Sequence, residues 1–297
     1  LSIKELHIDF SRHHPHAKIV GRRELLSKDI EGNWATTFKG RGLEFTGYRA
    51  YNYTDDASTI DWRASLRSKS LLVREFEEYR NFSVMFLLDV SNSMLFTTTK
   101  KLKAEYGAEL VYALSQAASD SGEAIGLGLF SDKLQVSFQP AFGKGMHSRF
   151  EKTLSNKEYY GGPKDFKKSF LQANSMLNDK VIMIIVSDFL GLPKKWEKYM
   201  LSLASRHHLM GVMIRDKRDR ELPPHTGQFV VKDPNTEETM YIDTDSYAKE
   251  YKVQSLKQEE YIKKVFKKLR GSCVTIENGA DFKKSLEKFF NSHQGMS

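Results

Sequence analysis

In the stretch "FLLDVSNSM" (residues 86–94) an apolar run stops on Asp89, and Ser91 and Ser93 follow at alternate positions. A second apolar run, "VIMIIVS" (181–187), also stops on a carboxylate, Asp188. Short oxygen-bearing side chains at the ends of two buried strands can gather around a cation. In an open doubly wound sheet, ligands bind beyond the carboxyl ends of the strands, where the strand order reverses. With the order 3-2-1-4-5-6 these two strands are neighbours, and Asp89, Ser91, Ser93 and Asp188 converge on one small site. Hard oxygen donors of this kind suit Mg²⁺ or Mn²⁺ and leave room for an external carboxylate. The plainer alternative is that Asp and Ser after a strand act as turn and capping residues.

The elements that position these residues are readable from Phe82 onward. Strand patterns at 82–88, 181–187, "HLMGVMIR" and "CVTI" alternate with helix patterns at 100–119, 165–178, "PKKWEKYMLSLASR", 249–270 and "DFKKSLEKFF". The segments "EAIGLGLF" and "KLQVSFQ" meet at Ser131-Asp132, two turn-prone residues, and predict a hairpin. Uniformly apolar strands between amphipathic helices predict an α/β, doubly wound, mostly parallel sheet of about six strands covered on both faces. The expected organisation is a domain over 82–297, with a polar insertion at 216–245 that carries two short strand candidates, "GQFVV" and "TMYID".

Residues 1–81 read as a small β-rich N-terminal domain or extension. Gly40, Gly42 and Gly47 break it up, and "LLVREFEEY" is its clearest strand. Trp62 and Phe76, large apolar residues leading into the first α/β strand, are expected to join the two parts. The "HHPH" at 13–16 reads as a solvated loop rather than a metal cluster, because Pro15 interrupts it and no acid or cysteine framework surrounds it.

Of the 297 residues, 40% are hydrophobic and 28% charged, a globular composition. The longest apolar runs fall far short of the roughly 20 residues a spanning helix needs. The opening "LSIKELHIDF" has no signal-peptide pattern and no initiating Met, so a short upstream piece is expected. A single cysteine, Cys273, excludes an internal disulfide framework and reads as a buried inert thiol; a cytoplasmic location is the expectation. The net charge of +8 permits nucleic-acid binding without requiring it. Much of the excess sits at 249–270, with eight basic and three acidic residues. There Ile262, Val265, Phe266 and Leu269 form one helical face, as in an amphipathic helix packed on the domain.

The pentad Asp-x-Ser-x-Ser at 89–93 and the later Ser187-Asp188 resemble the metal-ion-dependent adhesion site of von Willebrand factor A (vWA) domains. The 125–138 hairpin is similar to that fold's antiparallel edge. The wider chain, through "IDWRASLRSKSLLVREFE", "LLDVSNSM" and "IRDKRDRELP", resembles a bacterial family of uncharacterised vWA-containing proteins associated with MoxR-type AAA+ ATPases. That resemblance implies a non-enzymatic interaction module whose protein partner is a MoxR-type ATPase and whose metal site would hold Mg²⁺ or Mn²⁺. The family's third-loop threonine is missing. The corresponding segment, "YYGGPKDF", places Pro163 or Lys164 there, so metal binding is expected to be weak or absent. Lys164 then points to solvent beside a weakened metal site, or its ammonium replaces the metal between Asp89 and Asp188, or the site is a relic whose carboxylates cap loops. Two other functions stay open: a Mg-dependent phosphatase using Asp89 as phosphoryl acceptor, with Lys164 as phosphate clamp, and nucleic-acid binding through the basic 249–270 helix.

Overall fold

The computed structural model describes residues 5–10 and 43–293, except 54, 69, 79–82, 144, 224–227 and 233–238. The "HHPH" segment lies outside the described residues. In chain order the elements are β1 (Leu43–Ala50), α1 (Trp62–Ser68), β2 (Leu72–Glu78), β3 (Ser83–Asp89), α2 (Lys103–Asp120), β4 (Ala124–Phe130) and β5 (Leu134–Ala141). Then follow α3 (Gly145–Ser155), α4 (Phe166–Met176), β6 (Val181–Ser187), α5 (Glu197–Ala204) and β7 (His208–Arg215). The chain continues through β8 (Gln228–Lys232), β9 (Thr239–Asp243), α6 (Thr244–Lys268), β10 (Ser272–Glu277) and α7 (Phe282–His293).

Six strands make the central sheet in the order β10-β7-β6-β3-β4-β5. All pairings are parallel except β4 with β5, whose hairpin forms an antiparallel edge. Counting these six strands along the chain gives the order 3-2-1-4-5-6, so β3 and β6 adjoin at the reversal. Alternation along β3 splits the core into two layers. Val84, Phe86 and Leu88 face a cluster with α2, α3 and α7, while Met85 and Leu87 face α4, α5 and α6. Every residue from Val84 to Asp89 is buried, which is why the strand reads as a continuous apolar run.

The register of β4 with β5 shifts around Gly126. A Cβ built there would lie 2.7 Å from Pro140 N and 2.9 Å from Phe138 O, both backbone atoms that cannot swing away. Gly126→Ala should therefore cost about 1–3 kcal/mol by prying the edge hairpin apart, read as a lower urea midpoint with an unchanged slope.

Several elements differ from their sequence patterns. Helix α3 carries Met146, Phe150 and Leu154 at i, i+4 and i+8, a buried stripe that its five exposed positions disguise. The helix expected from Pro193 begins only at Glu197. Lys195 has φ +64°, and Trp196 N donates to Pro193 O at 3.2 Å, so the first residues form a separate turn. The two strand candidates of the 216–245 stretch, by contrast, are strands as expected, and β8 pairs antiparallel with β9.

N-terminal to the sheet, β1 and β2 pair antiparallel, with α1 between them. Trp62 does not join this unit to the α/β core; it is 62% exposed. The opposite side of α1 is the anchored one. Ser65 is buried, its hydroxyl donates to Asp61 O at 2.7 Å, and it accepts from Leu72 N at 2.9 Å. Among the described residues, 5–10 reach the core; the side chain of Phe76 lies outside the described residues. His7 N and Asp9 N donate to the buried carboxylates of Glu105 and Glu109 on α2, at 2.5 and 2.7 Å. Phe10 packs on Tyr112, with ring centroids 4.6 Å apart.

Candidate functional site

The carboxyl ends of β3 and β6 bring Asp89, Ser91, Ser93 and Asp188 together, and the 160–165 loop adds Lys164. Asp89 is the last residue of β3 and fully buried. Its Oδ1 accepts from Ser91 N at 3.0 Å and Ser91 Oγ at 2.6 Å; its Oδ2 accepts from Ser187 Oγ at 2.5 Å. Ser93 Oγ lies 3.4 Å from Ser91 Oγ. The chain after β6 turns sharply at Phe189, a non-glycine residue with φ +50°. Such a conformation costs of order 1–3 kcal/mol. The fully buried Phe189 ring offsets it by stacking on Phe166 at 6.2 Å between centroids and meeting Phe266 edge-on at 5.7 Å. The turn aims Asp188 back across the strand ends, where its Oδ1 accepts from Leu190 N at 3.0 Å.

Lys164 does not face solvent: its side chain is 1% exposed, and Nζ lies 2.7 Å from Asp89 Oδ2 and 2.5 Å from Asp188 Oδ1. The loop that carries it is pinned. Gly161 N donates to Val90 O at 2.7 Å, Asn92 N donates to Gly162 O at 2.9 Å, and Gly162 N donates to Asn92 Oδ1 at 2.9 Å. Gly161 and Gly162 hold φ of +113° and +87°, which leave two residues for the chain to turn inward before Asp165 caps α4 at Lys168 N. Pro163, the other candidate for the third-loop position, is exposed and contributes no group to the site.

A second ammonium was hidden in the sequence. Lys103, the first residue of α2, is fully buried and bridges Asp188 Oδ2 at 2.9 Å to Asp219 Oδ2 at 2.8 Å. Asp219 Oδ2 also accepts from Asp216 N at 2.8 Å, and Asp216 in turn holds Thr98 N and Thr98 Oγ1 at 2.8 and 2.6 Å. The site is thus a buried row of alternating charge, Asp89–Lys164–Asp188–Lys103–Asp219, running from β3 to the loop after β7. Lys164 and Lys103 also lie over the rings of Phe166 and Phe96, 5.3 and 5.9 Å from their centroids.

Burial alone would push Asp188 up, but the charges of Lys103 and Lys164 outweigh it and hold the carboxyl well below the usual range. Burial works against the charge of Lys103 too, yet Asp188 and Asp219 outweigh it and raise the ammonium above its ordinary value. Asp219, desolvated and near Asp188, is pushed up despite Lys103. The signs differ in consequence. The stability from Asp188 is complete above the ordinary aspartate value of about 3.9 and is lost as pH falls below it. That from Lys103 is complete below about 10.4 and is lost as pH rises through its raised value. Asp219 acts oppositely to Asp188: its folded form takes up a proton first, so lowering pH towards about 4 favours folding. The melting temperature should fall steeply below about pH 4 in the parent. In Asp188→Asn the same acid limb should be flatter, as followed by circular dichroism.

A divalent ion does not fit this arrangement. The group facing both carboxylates from the third loop is an ammonium, and both oxygens of Asp89 already accept hydrogen bonds. Elsewhere, Cys273 is half-buried and its thiol is pushed up to about 12 by desolvation, which leaves it a poor nucleophile.

A doubly wound sheet with one antiparallel edge, and an Asp-x-Ser-x-Ser turn facing a second aspartate across the strand reversal, defines an α/β domain with a charged cluster at the carboxyl end of its sheet. The chain belongs to the family described as "Protein of unknown function DUF58", whose model matches residues 47–261. It is 23% identical over 215 residues to the uncharacterized protein Mb1516 of Mycobacterium bovis, a match covering 71% of this chain and 67% of that one. Among solved structures it is similar to an aerotolerance-related membrane protein from Bacteroides fragilis, with TM-score 0.47 and 13% identity, over 71% of this chain and 99% of that one. It is also similar to a von Willebrand factor type A protein from Catenulispora acidiphila, with TM-score 0.42 and 12% identity, over 76% of this chain and 44% of that one. No helix among the described residues is long and apolar enough to cross a membrane.

Proposed function

We propose that this chain is a non-enzymatic protein-interaction module, an adaptor that works with a MoxR-type AAA+ ATPase and needs no divalent metal. One observation supports the metal-free reading: Lys164 Nζ stands 2.7 and 2.5 Å from Asp89 and Asp188, between the two carboxylates that the vWA resemblance would give to a metal. The ammonium supplies the positive charge that holds the two strand ends together, but it offers no open coordination position to a partner's carboxylate. Asp89, Ser91, Ser93 and Asp188 are 0–3% exposed and the Lys164 side chain 1%, so partners meet the loops around the site rather than the ligand set itself.

The same geometry weighs against a phosphatase. A phosphoryl acceptor needs a carboxylate oxygen open to attack, and Asp89 gives one oxygen to Ser91 and the other to Ser187 and Lys164. Purified chain and a purified MoxR-type ATPase should associate equally well in Mg²⁺ and in EDTA. Association abolished by the chelator would contradict the metal-free reading. Phosphoester turnover that Asp89→Asn removes would contradict the non-enzymatic one.

A further inference from the structure

Trp62, expected to anchor the N-terminal unit, is instead its most exposed large ring on a helix. Trp62 is 62% exposed and Leu66, one turn on, is 82% exposed. Tyr48 is 47% exposed and reaches Asp61, the residue before α1, with its hydroxyl 3.2 Å from Asp61 Oδ2. Two large apolar side chains at i and i+4 on a helix whose other side is fastened to β2 gain nothing for folding by standing in water. Arg63 and Arg67 repeat the same i, i+4 spacing beside them, and both are exposed.

The charge of α1 and the residues just after it is one-sided. Residues 62–71, "WRASLRSKSL", contain three basic residues and no acidic one. Of the nearby acids, Asp56 is exposed and accepts from Ser58 N at 2.9 Å, while two others are engaged. Asp55 pairs with Arg49 at 2.5 and 2.7 Å, and Asp61 accepts from Arg63 N and Ala64 N at 3.0 and 3.1 Å, starting the helix. Trp, Tyr and Arg are the residue types that carry most of the binding energy where proteins meet. A membrane-lying helix is usually longer, with a broad apolar face; α1 has seven residues and buries Ser65 on its inner side.

We infer that the Trp62–Leu66 stripe of α1, edged by Arg63 and Arg67, is a docking surface for an acidic protein segment that presents two large apolar side chains between carboxylates. The inference rests on the interaction-module reading and adds a second place of contact, away from the charged row at the sheet's carboxyl end. The carboxylates of such a segment would pair with the two guanidiniums, and its apolar pair would cover Trp62 and Leu66.

The test uses the full chain and two labelled 20-residue helical peptides. Both carry Leu and Phe at i and i+4; Glu flanks the pair in one and Lys in the other. Fluorescence anisotropy should show the Glu peptide binding and the Lys peptide not. Trp62→Ala with Leu66→Ala should weaken the Glu peptide by about tenfold or more. Arg63→Glu with Arg67→Glu should reverse the preference, so that the Lys peptide binds. All four substituted side chains are exposed, so thermal unfolding should stay close to the parent, and this keeps a loss of binding distinct from a loss of fold. Equal binding of the two peptides, or Glu-peptide binding unchanged by the charge reversal, would overturn the proposal. So would binding to phosphatidylglycerol vesicles without binding to the Glu peptide. Metal dependence, measured separately, bears on the interaction-module reading and is untouched by this result.

Discussion

Lys164→Met should destabilise the α/β domain by about 3–5 kcal/mol, the range for removing one partner of a buried ion pair. Two fully buried carboxylates, Asp89 and Asp188, would lose the cation that lies between them. For a domain of this size the loss corresponds to a fall of roughly 10 °C in melting temperature. Lys164→Met with Asp89→Asn should recover part of it, because a neutral amide no longer needs a counter-charge. Lys164→Thr gives the more telling comparison. It supplies the hydroxyl that vWA-like third loops carry and removes the ammonium, so Mg²⁺ should raise its melting temperature while leaving the parent unchanged.

Lys103→Met should be as costly, again about 3–5 kcal/mol, since the side chain is fully buried and joins Asp188 to Asp219. The effects of losing Lys103 and Lys164 should not add, because both cations share Asp188. A double-mutant cycle by urea unfolding measures that coupling. Lys103→Met with Asp219→Asn should regain stability over Lys103→Met alone, whereas a purely packing role for Lys103 predicts no gain.

The central sheet was legible because its strands are buried on both faces. "FSVMFLL" and "VIMIIVS" could hardly be anything but neighbouring inner strands, and their terminal carboxylates followed. Lys103 was not legible. It sits in "KKLKAEY" beside Lys100 and Lys101, and nothing local marks which of three lysines turns inward. Only the packing of α2 against the reversal point selects it. Asp219 was hidden for a related reason. It lies at the start of the polar 216–245 stretch, where a short 3-10 turn over Lys217–Asp219 folds it back onto the site. Trp62 misled because size was taken for burial. The side of α1 that is fastened is chosen by Ser65 and its bonds to Asp61 and Leu72, a polar contact that apolar patterning does not reveal.

Isothermal titration calorimetry of Mg²⁺ into the parent protein and into Lys164→Thr tests most directly whether the Lys164 ammonium stands in for a metal. The account predicts no resolvable binding heat for the parent at millimolar Mg²⁺ and measurable binding for the threonine variant. Micromolar binding to the parent, lost in Asp89→Asn, would mean that Lys164 yields the position to a dication, and would contradict the account.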